Sequence, residues 1–438
     1  MSDPFDSKPA GPALSATAGM PESLSELLDL GARLAKEKRW SEALSVALRV
    51  KALAPNDAAA ATIAGYACFA LGRDAEAIEH LARALAHDDH QSGLWYRRSV
   101  SLLRLGRAAE AYAHAERACA LAPDRPEYHW QRRAAGARAV PDWHFNMVND
   151  EPRNAAFAAA IAHHVKPEHR VLEIGTGSGL LAMLAARDED GQPRARQVVT
   201  CESNPLLART AREIIHENGL ADRVQVLAQH STEIEVGREL SGRADLLVCE
   251  IFSVQVLAEG VLPTIEDAKA RLLAPGAAII PAVAVARAAL VASDALGRRV
   301  RAGRVRGFDL SRLNAFVPVV QYLSAHESVE LLSRAFDLFR FDFAAHAAFP
   351  AEKRVFSVEA SRDGACQGVI QWLRLELAPG IDYENRPGIP ESEPSRHWQP
   401  VFYPFPEPLT LRNGERVTLR ASHNRSGMHV EFVSVAAR

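Results

Sequence analysis

Cysteine is scarce and scattered, five in 438 residues with no paired spacing. That excludes a disulfide framework and a cysteine-based zinc site, and it fits a reducing compartment. No apolar run reaches the roughly 18 residues that a membrane-spanning helix requires. The opening stretch, MSDPFDSKPAGPALSATAGM, lacks the basic start and apolar core of a secretory leader. An excess of one charge is also missing: the formal net charge is −3, so no electrostatic footprint for nucleic acid is present. A soluble, cytoplasmic protein is expected, with no membrane or nucleic-acid partner and no metal. Its length suffices for two or three domains with sizeable cores.

What the chain does have, first, is a repeat. Residues 1–22, rich in Pro, Ser, Ala and Gly, read as a disordered tail. From Ser23 the sequence turns alanine-rich and helical. Glu42-Ala43, Glu76-Ala77 and Glu110-Ala111 recur every 34 residues, and Leu71-Gly72-Arg73 returns as Leu105-Gly106-Arg107. A 34-residue period with small residues at fixed helical positions is the tetratricopeptide signature, in which paired helices stack and share a buried face. The array is expected over 23–135 and presents a surface for an unidentified protein partner or substrate; the plainer alternative is that it only stabilises the rest. The Arg-rich stretch DRPEYHWQRRAAGARAVP between Pro123 and Pro141 reads as a link.

The densest chemical signal is VLEIGTGSGLL at 171–181. A β-branched apolar run, the acid Glu173 and glycines at alternate positions read as a buried strand, a tight turn and a helix start. Without Cβ atoms at Gly175, Gly177 and Gly179, the ribose and carboxylate end of a ligand can approach the loop. The spacing lacks the last glycine of the dinucleotide fingerprint, which favours a nucleoside site over a pyrophosphate cradle. After the turn-like DEDGQPR at 188–194, a second strand, VVTCE, ends in Glu202. An acid at that place in a doubly wound sheet accepts both ribose hydroxyls, because such folds bind ligands outside the carboxyl ends of their strands. NAD and S-adenosylmethionine both satisfy the pattern. A helix (205–218), a strand (223–227), HSTEI at 230–234 and a strand ADLLVCE at 244–250 follow.

Taken with these pieces, WHFNMVNDEPRN at 143–154, CESNP at 201–205, CEIFSVQVLAEG at 249–260 and RHWQPVFY at 396–403 make the chain resemble the protein arginine methyltransferases, nearest the divergent branch that contains the type III enzyme. The resemblance runs from Trp143 to Pro281 and on to the His-Trp segment, in the family's order. It implies S-adenosyl-L-methionine as cofactor, held by Met147, Arg153, Glu173, Gly175, Gly177, Gly179, Glu202, Ser231, Thr232 and Glu233. Arg153 matches the arginine that grips the cofactor's carboxylate, a task suited to a planar guanidinium.

Glu250 and Glu259 match the family's two glutamates. Arginine is a poor nucleophile because its charge is delocalised and its pKa exceeds about 12. Two carboxylates would localise that charge and leave one nitrogen aimed at the methyl group, which is positioning plus electrostatics. His397 and Asp150 match a dyad that releases a proton or braces two domains. Trp398 is placed on the substrate side, and Arg396 replaces the family's threonine. Two departures stand out. Residues 131–142 hold no tyrosine where many members carry a Y-F-x-x-Y pair, and Ser253 stands where the type III enzymes carry a further acid, so the methylated product is left open.

Beyond LLAPGAAIIP at 272–281, strand-type alternation takes over in AVAVARAALVAS, KRVFSVEAS, GVIQWLRLELAP and ERVTLRAS. The expected architecture is a tetratricopeptide-like array, an α/β Rossmann-like methyltransferase domain over 141–281 and a β-barrel-like substrate domain over 282–438. The expected activity is arginine N-methylation of proteins, with basic Gly/Arg-rich segments as candidate substrates. The resemblance also implies homodimerisation, with 300–335 as the candidate arm. A small-molecule methyltransferase and a catalytically weak adaptor that uses its repeats are the alternatives.

Overall fold

A computed structural model describes residues 23–436 apart from 189, 325 and 391–395. The reading of 1–22 as a tail lies outside the described residues. The chain divides into two compact units, Met1–Pro141 and Asp142–Arg438. Among the described residues no helix is long and apolar enough to cross a membrane.

The described part of the first unit is a helical array: α1 (Leu24–Lys36), α2 (Trp40–Leu53), α3 (Ala58–Ala70), α4 (Asp74–His87), α5 (Ser92–Arg104), α6 (Ala108–Leu121) and α7 (Pro126–Ala139). Helix starts at 24, 58, 92 and 126, and again at 40, 74 and 108, are 34 residues apart. The turns repeat as well. Lys38, Gly72 and Gly106 all take positive φ, of 59°, 71° and 77°. The next residue in each turn is an arginine that forks onto a glutamate three residues on: Arg39 to Glu42, Arg73 to Glu76 and Arg107 to Glu110. Ala43, Ala77 and Ala111 are fully buried. A Cβ on Gly65 would come within 2.7 Å of Leu81 Cδ2, so α3 and α4 meet there closely enough to require glycine. These features fit tetratricopeptide-like repeats. The stretch read as a link proves to be α7, which packs on α6 and continues the period. Pro126 at its first turn is the start signal, since proline is pre-organised for that position.

The second unit holds a parallel sheet and an antiparallel β region on one continuous apolar core. The strands β1 (Arg170–Ile174), β2 (Gln197–Cys201), β3 (Val224–Leu227), β4 (Ala244–Cys249) and β5 (Leu273–Ile280) run in the order β3-β2-β1-β4-β5. The order reverses between β1 and β4, so the ligand crevice of such a sheet falls outside their carboxyl ends. WHFNMVNDEPRN forms two helices, α8 (Trp143–Val148) and α9 (Glu151–His164). Asp150 caps α9 by accepting the Arg153 N–H at 3.1 Å, and Pro152 lies in its first turn. The sheet's helices include α10 (Leu180–Ala186), α11 (Pro205–Glu217) and α12 (Val261–Arg271).

The β region comprises β6 (Val283–Ala292), β7 (Phe336–Asp342), β8 (Glu352–Glu359), β9 (Gly364–Ala378), β10 (Ile381–Glu384), β11 (Val401–Leu411), β12 (Arg416–His423) and β13 (Met428–Ala436). In one sheet β9 lies antiparallel between β6 and β11, with β7 beyond β6 and β10 folded back on β9. In the other, β12 lies between β8 and β13. Helix α12 is strapped to this region. Lys269 Nζ donates to the carbonyls of Phe343 and His346 at 2.6 and 2.7 Å, while Glu266 accepts the Phe349 N–H and pairs with Arg425.

Candidate active site

Glu173, Glu202, Glu233 and Glu250 lie in or just beyond the carboxyl end of a strand. Glu173 is in β1, Glu202 follows β2, the Ser231–Glu233 turn follows β3, and Glu250 follows β4. Parallel pairing in register, Glu173 opposite Thr200 and Val248, brings these ends to one edge.

The three glycines of the loop after β1 have φ of 91°, 52° and 85°, a region that side chains strain to reach. A Cβ on Gly175 would lie 2.7 Å from Ile251 Cγ2, and one on Gly179 3.0 Å from Ile215 Cδ1. At these two positions glycine makes room for the protein itself. Only at Gly177 is the space open, bounded by the Met147 methyl at 3.6 Å. Its N–H donates to Glu202 Oε2 at 3.2 Å, and the Asn204 N–H donates to Oε1 at 2.9 Å.

Glu173 is buried and accepts the Thr200 hydroxyl at 2.6 Å, with Thr176 a further 2.6 Å along the chain of hydroxyls. Burial, set against the Thr200 hydrogen bond and the charge of Arg153, pushes its carboxyl up to about 8. The shift favours the protonated acid near neutral pH.

Arg153 is buried beneath the loop, 4.9 Å from the Phe157 ring centroid, with its Nη2 2.9 Å from Glu250 Oε2. The Glu250 Oε1 lies 3.8 Å from His397 Nε2. On the far side of that ring, His397 Nδ1 is 3.1 Å from Asp150 Oδ2, which also accepts the His397 N–H at 3.0 Å and the Tyr383 hydroxyl at 2.7 Å. Burial alone would raise the Asp150 carboxyl; the hydrogen bonds from His397, Tyr383 and Arg153 N–H outweigh it and hold the group below the usual carboxylate value. The Tyr383 hydroxyl is pushed far up by burial and by the Asp150 charge, so it stays a donor.

Glu259 closes the loop after β4 at φ 49° and is solvent-accessible. Desolvation by the surrounding protein, then the like charges of Glu250 and Glu202, raise its carboxyl. Among the described residues no cation pairs with it. The structure thus gathers Arg153, Glu250, His397 and Asp150 into one contact chain, with Glu173, Glu202 and Glu259 within electrostatic reach. Trp398 is buried against His397, with ring centroids 3.9 Å apart, and its indole N–H donates to Phe252 O at 2.9 Å. Ser231 is buried under the Ile234 turn, whereas Thr232 and Glu233 are exposed.

Residues that sequence reading missed complete the site. Tyr383 braces Asp150 from β10, and Asn385 Nδ2 donates to Trp398 O at 2.6 Å. Gln371 Nε2 donates to Val254 O at 2.7 Å, and Gln255 Nε2 to the Tyr403 hydroxyl. The available signal was a polar residue inside a buried strand, as in GVIQWLRLELAP.

A nucleoside cofactor with an amino-acid tail fits this edge on two observations. Among the described residues Ser231 Oγ and Arg153 Nε are buried with no hydrogen-bond partner, and the Gly177 face of the loop is open. A cofactor carboxylate suits Arg153, and ribose hydroxyls suit Glu202.

Fold and site define a class: an α/β nucleoside-cofactor domain joined to an antiparallel β domain, with paired glutamates flanking the loop after β4. Residues 157–298 match the family model of the ribosomal protein L11 methyltransferase, and 291–436 that of the arginine methyltransferase oligomerization subdomain. An arginine N(omega)-methyltransferase of Streptomyces achromogenes subsp. streptozoticus is 36% identical over 353 residues, covering 78% of this chain and 93% of that one. Protein arginine N-methyltransferase 7 of Oryza sativa subsp. indica is 31% identical over 320 residues, covering 66% of this chain and 44% of its own length, so this chain spans less than half of that relative. A solved Trypanosoma brucei PRMT1 enzyme-prozyme heterotetrameric complex with AdoHcy superposes with a TM-score of 0.56 at 23% identity, over 68% of this chain and 95% of that one, a likeness of fold. The chain belongs to the arginine methyltransferase family.

Proposed function

We propose that this chain transfers the methyl group of S-adenosylmethionine to a guanidino nitrogen of arginine in protein substrates. The observation that carries the reading is the placement of Glu250. It stands at the switch point of the sheet, joined to Arg153 on one side and facing His397 on the other. The cofactor, when bound, supplies an electrophilic methyl group. Arg153 holds its carboxylate, Glu202 its ribose, and Ser231, Thr232 and Glu233 its base, with Met147 closing over Gly177. Glu250 and Glu259 grip the substrate guanidinium and fix one nitrogen toward the methyl donor. His397, oriented by Asp150, faces the proton that must leave. Trp398 serves the substrate side by holding the loop backbone at Phe252. The test is methyl transfer to arginine-containing acceptors compared with lysine-substituted ones.

A second reading concerns the acceptor. The Streptomyces relative, matched over nearly its whole length, is named for arginine without mention of protein. Free arginine is therefore the small-molecule acceptor to set beside peptides.

The array over 23–135 recruits a protein partner or substrate to the methyltransferase (141–281) and β (282–438) regions in the cytoplasm. Self-association is supported by the match to an oligomerization subdomain and by apolar side chains exposed between 304 and 322. Phe308 is 73% and Phe316 82% accessible, with Val305, Leu313 and Val319 beside them in sequence. A second copy of this chain suits that segment.

A further inference from the structure

The loop between β4 and α12 is held in a conformation its own residues do not favour. Val256 has φ 68° and Glu259 φ 49°. A β-branched residue in the left-handed region is an outlier that persists only where its surroundings impose it. Within the loop, Val256 N–H donates to Ser253 O at 2.8 Å, Gln255 N–H to Ser253 Oγ at 3.2 Å, and Ser253 Oγ to Leu257 O at 3.3 Å. These bonds shape a turn; they do not fix it against the sheet.

The β region does that. Gln371, fully buried on β9, donates from Nε2 to Val254 O at 2.7 Å and to Trp372 O at 3.0 Å. Its Oε1 is buried with no hydrogen-bond partner among the described residues. A buried amide with an unmet acceptor costs stability relative to an apolar side chain of similar size. Core packing therefore does not account for glutamine here, whereas its bond to the strained loop does.

We propose that Gln371 is a positioning residue for arginine methylation: through Val254 it sets the loop so that Glu250 and Glu259 address one guanidinium. The inference rests on the function proposed above. A residue 117 positions from Val254, on a strand of the β region, thereby governs the geometry of the paired glutamates.

The test uses the full chain with Gln371→Leu and Gln371→Glu. Hydrogen exchange is followed peptide by peptide, S-adenosylhomocysteine affinity by calorimetry, and kcat and KM on an arginine-rich peptide. Gln371→Leu is expected to speed exchange within 251–259 alone and to leave the cofactor Kd within about twofold, while kcat falls by about 10- to 100-fold, as for a small misplacement of a reacting group. Gln371→Glu gives a separate signature. As a neutral acid it donates to Val254 O, and as a carboxylate it repels that oxygen, so its activity relative to wild type climbs as pH is lowered. Wild-type exchange at 251–259 in Gln371→Leu would overturn the proposal, as would faster exchange throughout the second unit. If the wild type methylates no arginine acceptor, the proposed function fails while the exchange pattern still decides whether Gln371 holds the loop.

Discussion

Arg153 and Glu250 form an ion pair of 2.9 Å with both side chains more than nine-tenths buried. The residue suited to the cofactor's carboxylate and the residue suited to the substrate's guanidinium are thus one charge pair. Removing one partner of such a pair strands the other charge, at a cost of about 3–5 kcal/mol. Arg153→Ala is expected to lower stability by that order and to weaken S-adenosylhomocysteine binding; calorimetry on the folded fraction checks the second effect. Unchanged affinity would remove Arg153 from the cofactor site.

Gly175 separates two causes for one glycine. Its φ of 91° and the 2.7 Å approach to Ile251 make Gly175→Ala a fold-damaging change, at about 1–3 kcal/mol. Gly177→Arg, in the open part of the loop, is expected to abolish cofactor binding and transfer with a smaller loss of melting temperature. A reversed order of the two melting temperatures would contradict this assignment.

The pH dependence of the cofactor-free protein should carry the mark of Glu173. Its carboxyl is raised to about 8, against about 4.3 in an unfolded chain. Between those values the native state binds more protons than the unfolded one, so stability falls as pH rises. The contribution is complete below the unfolded value and gone above about 8. Thermal midpoints of wild type and Glu173→Gln should therefore diverge across this window, with the wild type losing more. Parallel curves would show that Glu173 is not protonated at neutral pH.

Tyr383, on β10, donates its hydroxyl to Asp150 at 2.7 Å and so helps fix the acid that holds His397. Tyr383→Phe removes the hydroxyl bond to Asp150, worth about 1.5–3 kcal/mol for a charged acceptor. Transfer should fall, and the double variant with Asp150→Asn should lose less than the sum of the singles, because both act on one network. Strict additivity in melting temperature would separate them.

Self-association has its own test. Phe308→Ser with Phe316→Ser is expected to shift the protein toward monomer in light scattering while melting temperature holds, because both rings are exposed and fill no core. A monomeric wild type would refute the assignment of this segment.

Much of the site was legible because its residues sit in short contiguous motifs at strand ends, where the chain order of a doubly wound sheet delivers chemistry to one edge. Glu202 after VVTC and Glu250 after LLVC needed only strand periodicity. The helix α7 was missed because QRRAAGAR shows no apolar stripe; Pro126, one period after Ser92, was the overlooked clue. The two tasks of glycine at 175 and 177 could not be told apart, since Ile251 meets Gly175 only through the fold. Tyr383, Gln371 and Asn385 lay outside any motif. Tyr383 meets its partner 233 residues away and Gln371 117 away, and single polar residues in apolar strands do not announce what they face.

Radiolabelled methyl transfer from S-adenosylmethionine to an arginine-rich peptide, to its lysine-substituted control and to free arginine, with wild type and Glu250→Gln side by side, decides whether Glu250 serves the acceptor. S-adenosylhomocysteine titration is run on the same samples. Label is expected on arginine alone, with a fall of about 10²- to 10³-fold in Glu250→Gln and cofactor affinity retained in that variant. Label on the lysine control, transfer undiminished in Glu250→Gln, or cofactor binding lost with that single change would contradict that role.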